Sequence, residues 1–218
     1  MTIVRWHGHA CFEIVANDGR VIVIDPHDGH SIGLKPPKVE ADIVLITHNH
    51  YDHNAYNVVA KPSAKLLVMA KGEQIIDGIR VKGVEAFHDK VGGKRRGRVV
   101  MYRIEVDGVA FVHLGDLGHV LDESLARELK PIDVLMIPVG GTFTIEPDEA
   151  WQVVKVLEPR CVIPMHYWVK GLMLPLKTLD EFLKHVEDWN IVRLERNEFV
   201  VSKNNVPERT VVIFPEPS

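Results

Sequence analysis

The chain has 218 residues, 46% of them hydrophobic and 26% charged, and a net charge of −4. This length and apolar content fit one domain, residues 1–218, with a substantial core. The mild negative charge provides no global basic field, so nucleic acid is not a favoured partner, and two cysteines do not suggest a disulfide framework.

Short strand-like runs dominate residues 3–24, and 29–40 is a loop containing Pro36-Pro37. The apolar run 41–46 predicts a strand, and a short helix is expected over 54–60. Residues 64–69, 79–87, 99–106 and 109–113 read as strands, with Asp107-Gly108 as a hairpin signal. Helical patterns follow at 122–129 and 147–157, the second opening on Glu146-Pro147-Asp148-Glu149, an acidic start with proline in the first turn. Strands near 134–137 and 161–164 flank that helix as a β-α-β unit. A further helix is expected over 178–187, where Thr178 and Glu181 have capping-box spacing. Strand-like runs at 199–201 and 211–213 end the chain. Mixed strands with outer helices predict a layered α/β architecture, organised in two similar halves.

Thr47-His48-Asn49-His50-Tyr51-Asp52-His53-Asn54 directly follows the run 41–46. Imidazole nitrogens and carboxylate oxygens are ligands for zinc, and they also suit manganese, iron and nickel. A helix-capping loop does not call for three histidines. A loop leaving a buried strand can aim ligands two ways, enough for two adjacent ions. His88, Asp116 and His166 each lie just past the end of an apolar run, where α/β sheets present ligands and catalytic groups.

In these residues, taken in order, the chain resembles the metallo-β-lactamase-fold hydrolases. It is similar within them to small archaeal and bacterial metal-dependent hydrolases distantly related to ascorbate-6-phosphate lactonase. Trp6-His7-Gly8-His9-Ala10-Cys11-Phe12, His113-Leu114-Gly115-Asp116-Leu117-Gly118-His119, the run from Ile137 to Ile145 and Ile163-Pro164-Met165-His166-Tyr167 carry the narrower likeness. The resemblance implies an αββα sandwich with the metals where the two sheets meet. It implies His48, His50 and His88 on one ion, Asp52, His53 and His166 on a second, and Asp116 bridging them. Asp116 in place of a cysteine points away from antibiotic hydrolysis.

Two such ions share a water and lower its pKa, which makes the nucleophile. Asp52 is the expected general base, and no nucleophilic side chain is needed. Cys11 and Cys161 read as small core residues. Asp25, at the end of 21–24, is a candidate to fix a ligand ring or else an Asp-Pro turn residue. His9 is expected to have a catalytic or substrate-contacting role at the mouth, which His7, His27, His30 and His119 also have the position to crowd. His185 reads as solvated.

Asp89 to Arg98 forms a glycine-rich basic loop in which Lys94, Arg95, Arg96 and Arg98 are candidate phosphate contacts. Trp151, Trp168 and residues 172–176 read as core, with an interface or lid as the alternative. The expected function is hydrolysis of a phosphodiester or phosphorylated small molecule, with a lactone or thioester as the alternative. A non-catalytic metal-binding role is less favoured. The residues leave the metal and the oligomeric state open. The start reads as a strand rather than a signal peptide and no apolar run reaches membrane length, so a cytoplasmic location is expected. Glutamine occurs only at Gln74 and Gln152 amid many charges, a hint of a thermophilic source.

Overall fold

The computed structural model describes residues 1–217. The strands are β1 (Thr2–Trp6), β2 (Phe12–Val15), β3 (Val21–Ile24), β4 (Ala41–Ile46), β5 (Ala60–Val68), β6 (Gly72–Ile76), β7 (Ile79–Phe87), β8 (Arg98–Val106), β9 (Val109–His113), β10 (Val134–Pro138), β11 (Cys161–Met165), β12 (Asn190–Arg193), β13 (Phe199–Val201) and β14 (Thr210–Ile213). The α-helices are α1 (Tyr56–Val59), α2 (Glu123–Leu129), α3 (Pro147–Leu157) and α4 (Leu179–Leu183). One sheet has the order β13-β1-β2-β3-β4-β5, the other β12-β14-β11-β10-β9-β8-β7-β6. Among the described residues, no helix is long and apolar enough to cross a membrane.

Burial follows the strand period of two. In β4, Ile43 and Leu45 join the core between the sheets, while Val44 and Ile46 pack outward with Cys11, Val23 and Val59. The inter-sheet core draws Phe12, Ile14 and Ile22 from one sheet and Met101, Phe111 and Val134 from the other. The layers are therefore αββα, with the helical layer on the six-stranded sheet reduced to the single turn α1. α3 covers the other sheet, burying Ala150, Trp151, Val153, Val154 and Leu157. Its start is a capping box between Glu146 and Glu149, with Pro147 in the first turn. Trp151 is core, packed edge-on to Trp189 and Phe182, and its truncation to alanine would cost about 3–5 kcal/mol.

Several expectations change here. The sheets do not follow sequence halves. β6 to β9 belong to the second sheet, and β13 crosses back to pair with β1. The helix expected over 54–60 is four residues long, because Ala60 already begins a strand parallel to β4. The helix expected over 178–187 stops at Leu183, and Thr178 makes no capping bond; Glu181 pairs with Lys184 instead. The Asp107-Gly108 turn joins paired strands, Val106 opposite Val109.

Strand ends set the site. β3, β4, β7, β9, β10 and β11 all lead into the loops that carry its residues. The two sheets are tied together at the end of β4, where the Val100 N–H donates to the Thr47 carbonyl (2.8 Å) and the Tyr102 hydroxyl to the Ile46 carbonyl (3.1 Å).

Candidate metal centre

The loop after β4 aims its ligand-type side chains in two directions. Ligand atoms of His48 and His50 converge with one from His88, which lies just past β7; all three lie within 4.8 Å of one another. Ligand atoms of Asp52 and His53 converge with His166, just past β11, and with His9, again mutually within 4.8 Å. Asp116 lies between the groups. Its Oδ2 is 3.7 Å from His48 Nε2, 3.3 Å from His88 Nε2 and 3.2 Å from His166 Nε2, and its Oδ1 is 3.3 Å from His53 Nε2.

Hydrogen bonds fix the rings. Asp25, immediately after β3 and fully buried, accepts from the Thr47 N–H (2.8 Å), the Thr47 hydroxyl (2.6 Å) and His53 Nδ1–H (3.0 Å). The Thr47 oxygen in turn accepts from His48 Nδ1–H at 2.9 Å. Both rings thereby turn a bare Nε2 toward Asp116. His113 Nε2–H donates to the Ala10 carbonyl (2.9 Å), and its Nδ1 accepts the Gly115 N–H (3.1 Å), which holds the loop carrying Asp116. Gly118 is required beside it, since a Cβ there would lie 2.2–2.3 Å from the His88–Asp89 backbone. His9, Asp25 and His166 all have left-handed backbone, φ 53°, 48° and 53°, a conformation that costs a residue with a side chain and collects at functional sites.

Electrostatics and unpartnered atoms both fit cations. Burial raises the pKa of Asp116, but His166, His53 and His48 outweigh it and hold the carboxyl well below its usual range. Asp52 behaves likewise, with His53 and His9 outweighing burial. Burial, then His53, pushes His48 down; burial, then His88, does the same to His50. Neutral imidazoles and ionised carboxylates are the forms that bind metal. His53 runs the other way: despite burial, Asp116 and Asp52 raise it well above its ordinary value, so its surroundings favour positive charge. Among the described residues, the buried side-chain atoms without a hydrogen-bond partner include His48 Nε2, Asp116 Oδ1 and His166 Nε2. Such orphans are costly unless a cation takes up their lone pairs.

A cavity of about 300 Å³ opens onto the cluster, lined by His50, Tyr51, Asp52, His88, Arg96, Asp116, Phe143 and Leu174. A neighbouring cavity of about 420 Å³ shares His88, Arg96 and Phe143 with it and adds Asp89, Arg95, Thr142, Thr144 and Glu146. Arg96 lies over the Phe143 ring, 4.6 Å from its centre.

The basic loop is divided. Arg95 and Arg96 face the cavities, whereas Lys94 lines neither and Arg98, the first residue of β8, turns to Glu85 at 2.8 Å. The loop is not a free lid. Asp89 accepts the backbone N–H groups of Val91, Gly93, Arg95 and Arg96, each at 2.8 Å. Burial opposes the Asp89 carboxylate, but these donors prevail and hold its pKa well below the usual range. The sequence reading gave no role to Asp89, Phe143 or Tyr51, and Leu174 lies in residues 172–176, read there as core with an interface or lid as the alternative. For Asp89 the signal was an acid entering a loop rich in backbone donors.

The other histidines are also resolved. His9 does not reach the mouth: it is fully buried, with Nε2 3.0 Å from Asp52 Oδ2 and 3.2 Å from His53 Nε2. A ring sealed from solvent does not contact an incoming substrate. His7 pairs with Glu13, and buried His27 donates to the His7 carbonyl. His119 accepts the Phe87 N–H, and its other nitrogen meets the Val120 carbonyl. His30 and His185 are exposed. None of these five lines the cavity at the cluster.

Comparison with known proteins agrees with this layout. The beta-lactamase superfamily domain matches residues 3–166. The UPF0173 metal-dependent hydrolase of Thermococcus onnurineus is 38% identical over 192 residues, covering 77% of this chain and 85% of the relative. That of Methanopyrus kandleri is 32% identical, covering 89% of this chain and 97% of the relative. The crystal structure of a candidate Zn-dependent hydrolase of the metallo-beta-lactamase superfamily from Thermotoga maritima aligns with a TM-score of 0.80 at 35% identity, covering 98% of this chain and 99% of that one. The chain belongs to the beta-lactamase superfamily and, within it, to the UPF0173 group.

Proposed function

We propose that the protein is a metal-dependent hydrolase with a dinuclear centre. His48, His50 and His88 would hold one divalent ion, Asp52, His53 and His166 the other, and Asp116 both. Zinc fits these donors, as do Mn2+, Fe2+ and Ni2+. The position of Asp116 carries this reading: one carboxylate lies within 3.7 Å of ring nitrogens from both groups. Divalent ions bound there would lower the pKa of a shared water and polarise the substrate's phosphoryl or carbonyl oxygen.

The chain's own residues do the rest. Asp52 lines the cavity and is kept ionised, so its carboxylate takes the proton from the attacking water. Asp25 and Thr47 keep the ring tautomers. Arg96 reaches the cavity wall above Phe143, where its guanidinium meets an anionic part of the substrate. We therefore favour a phosphodiester or phosphorylated small molecule. One observation supports a second reading, a lactone or thioester: Phe143, Leu174 and Tyr51 make much of the wall, and Arg96 is the one cation among its lining residues. Both cysteines are buried and free, which suits a reducing, cytoplasmic setting.

Purified protein of known metal content, assayed on matched phosphodiesters, phosphorylated esters, lactones and thioesters, tests the function. Preference for neutral carbonyl substrates would overturn the phosphate reading. Turnover of none, with two ions bound, would favour the non-catalytic role.

A further inference from the structure

His9 lies on no path that substrate can take, yet its Nε2 points into the densest group of ligand-type atoms in the molecule. We propose that His9 is a further side-chain donor to the second ion, beside Asp52, His53, His166 and the shared Asp116. The proposal rests on the two-ion reading above.

Lone pairs and spacing support it. His53 gives its Nδ1–H to Asp25, so its Nε2 is the nitrogen left to hold a cation. His9 Nε2 approaches that atom to 3.2 Å, and Asp52 Oδ2 to 3.0 Å. One Nε2–H on His9 can donate to Asp52 or to His53, and a cation among the three atoms would satisfy all of them at once. Asp52 Oδ2 and Asp116 Oδ1 lie 3.4 and 3.3 Å from the same His53 nitrogen. Donors on metal bonds of 2.0–2.1 Å stand about 3 Å apart. The separations here, 3.0–3.4 Å, leave room for one cation among these atoms.

The backbone aims this ring. His9 has a left-handed φ of 53°, and its carbonyl accepts both the Trp6 indole N–H (3.0 Å) and the backbone N–H of His166 (3.1 Å). The ring packs 4.3 Å from that of His166 and 4.8 Å from that of His53, centre to centre. Of the second group, only Asp52 lines the cavity, whereas His50 and His88 of the first group both do. The histidines of the second group thus stand behind the cavity wall, whereas His50 and His88 of the first stand in it.

The test uses protein produced with Co2+ in the sites, as wild type, His9→Gln and His9→Ala. Paramagnetic proton NMR counts ring N–H signals from coordinated histidines, and chelator competition gives the affinity for each ion. The proposal expects six such signals in the wild type, one for each histidine of the two groups, and five in His9→Gln. Losing a residue that only orients a ligand weakens metal binding about 10–100-fold. Losing a direct donor should weaken the second ion more than about 100-fold and leave the first nearly unchanged. Five signals in the wild type, all kept in His9→Gln, would overturn the proposal and make His9 a hydrogen-bond donor to Asp52. If His9→Ala does not fold, His9→Gln alone decides. A wild type holding fewer than two ions would instead overturn the dinuclear reading, a separate result.

Discussion

On one side of Asp116, His50 and His88 form part of a cavity wall; on the other, His9, His53 and His166 are shut behind it. The residue types are nearly the same, and the difference lies in what surrounds them. The open side adjoins the loop after β7, where Arg95 and Arg96 meet solvent. The closed side is packed between the β1–β2 loop and the end of β11, with Asp25 beneath it. On the reading proposed above, the exposed side would meet substrate, while the buried side would hold its ion deeper in the fold.

The largest expected effect removes the boundary itself. Asp116→Ala should lower bound metal from two ions per chain to one or none, and turnover by at least about 10³-fold. Metal analysis beside kinetics checks this. Two ions retained would show that the sides do not depend on Asp116.

The next effect concerns the closed side's support. His27 donates to the carbonyl of His7 in the loop that carries His9, and burial pushes its pKa down to about 4 from 6.5. The unfolded chain binds a proton that the folded one refuses between those values, so stability is fully present above about pH 6.5 and falls as pH drops toward 4. The difference amounts to about 3 kcal/mol. His27→Gln keeps a donor without the titration. The stability gap between variant and wild type, from denaturant midpoints, should shift by about that amount between pH 7.5 and 4. A constant gap would show that His27 titrates as it does in the unfolded chain.

On the open side, Arg96→Ala should raise KM for phosphorylated substrates about 10–100-fold with little change in kcat, as loss of a charge-assisted contact shared by ground and transition states does. Neutral lactones should change far less, and added salt should weaken only the phosphorylated set. Equal losses for both classes would mean that Arg96 acts by holding Phe143 in place.

Much of this asymmetry was hidden in the residues. The ligand loop was legible because metal chemistry demands particular side chains close together, and the run 41–46 marks the strand that feeds it. The Asp107-Gly108 hairpin was legible for a local reason as well. β6 and β12 were not: their residues are largely exposed, so no apolar alternation marks them. The burial of His9 depends on a left-handed turn and on packing against His166, more than 150 positions away. The division of the basic loop depends on Asp89, whose four N–H partners exist only once the loop has closed around it. Charge alone did not tell Arg96 from Arg98.

The smallest expected effect tests that last distinction. Arg98 pairs with Glu85 on the surface, and Lys71 reaches the same carboxylate at 3.0 Å. When Arg98 is lost, Glu85 keeps a cationic partner. An exposed pair of this kind contributes about 0–1 kcal/mol, which for a domain of this size shifts Tm by no more than about 2–4 °C. Arg98→Ala should therefore leave KM and kcat within about twofold for phosphorylated and neutral substrates alike. Lys94→Ala, at an exposed residue that lines neither cavity, should do the same. A tenfold rise in KM from either would mean that the field of the whole loop draws the anion in, because long-range attraction is shared among all its charges. Recognition would then no longer belong to Arg96 at the cavity wall, and the open side would extend well beyond the ions.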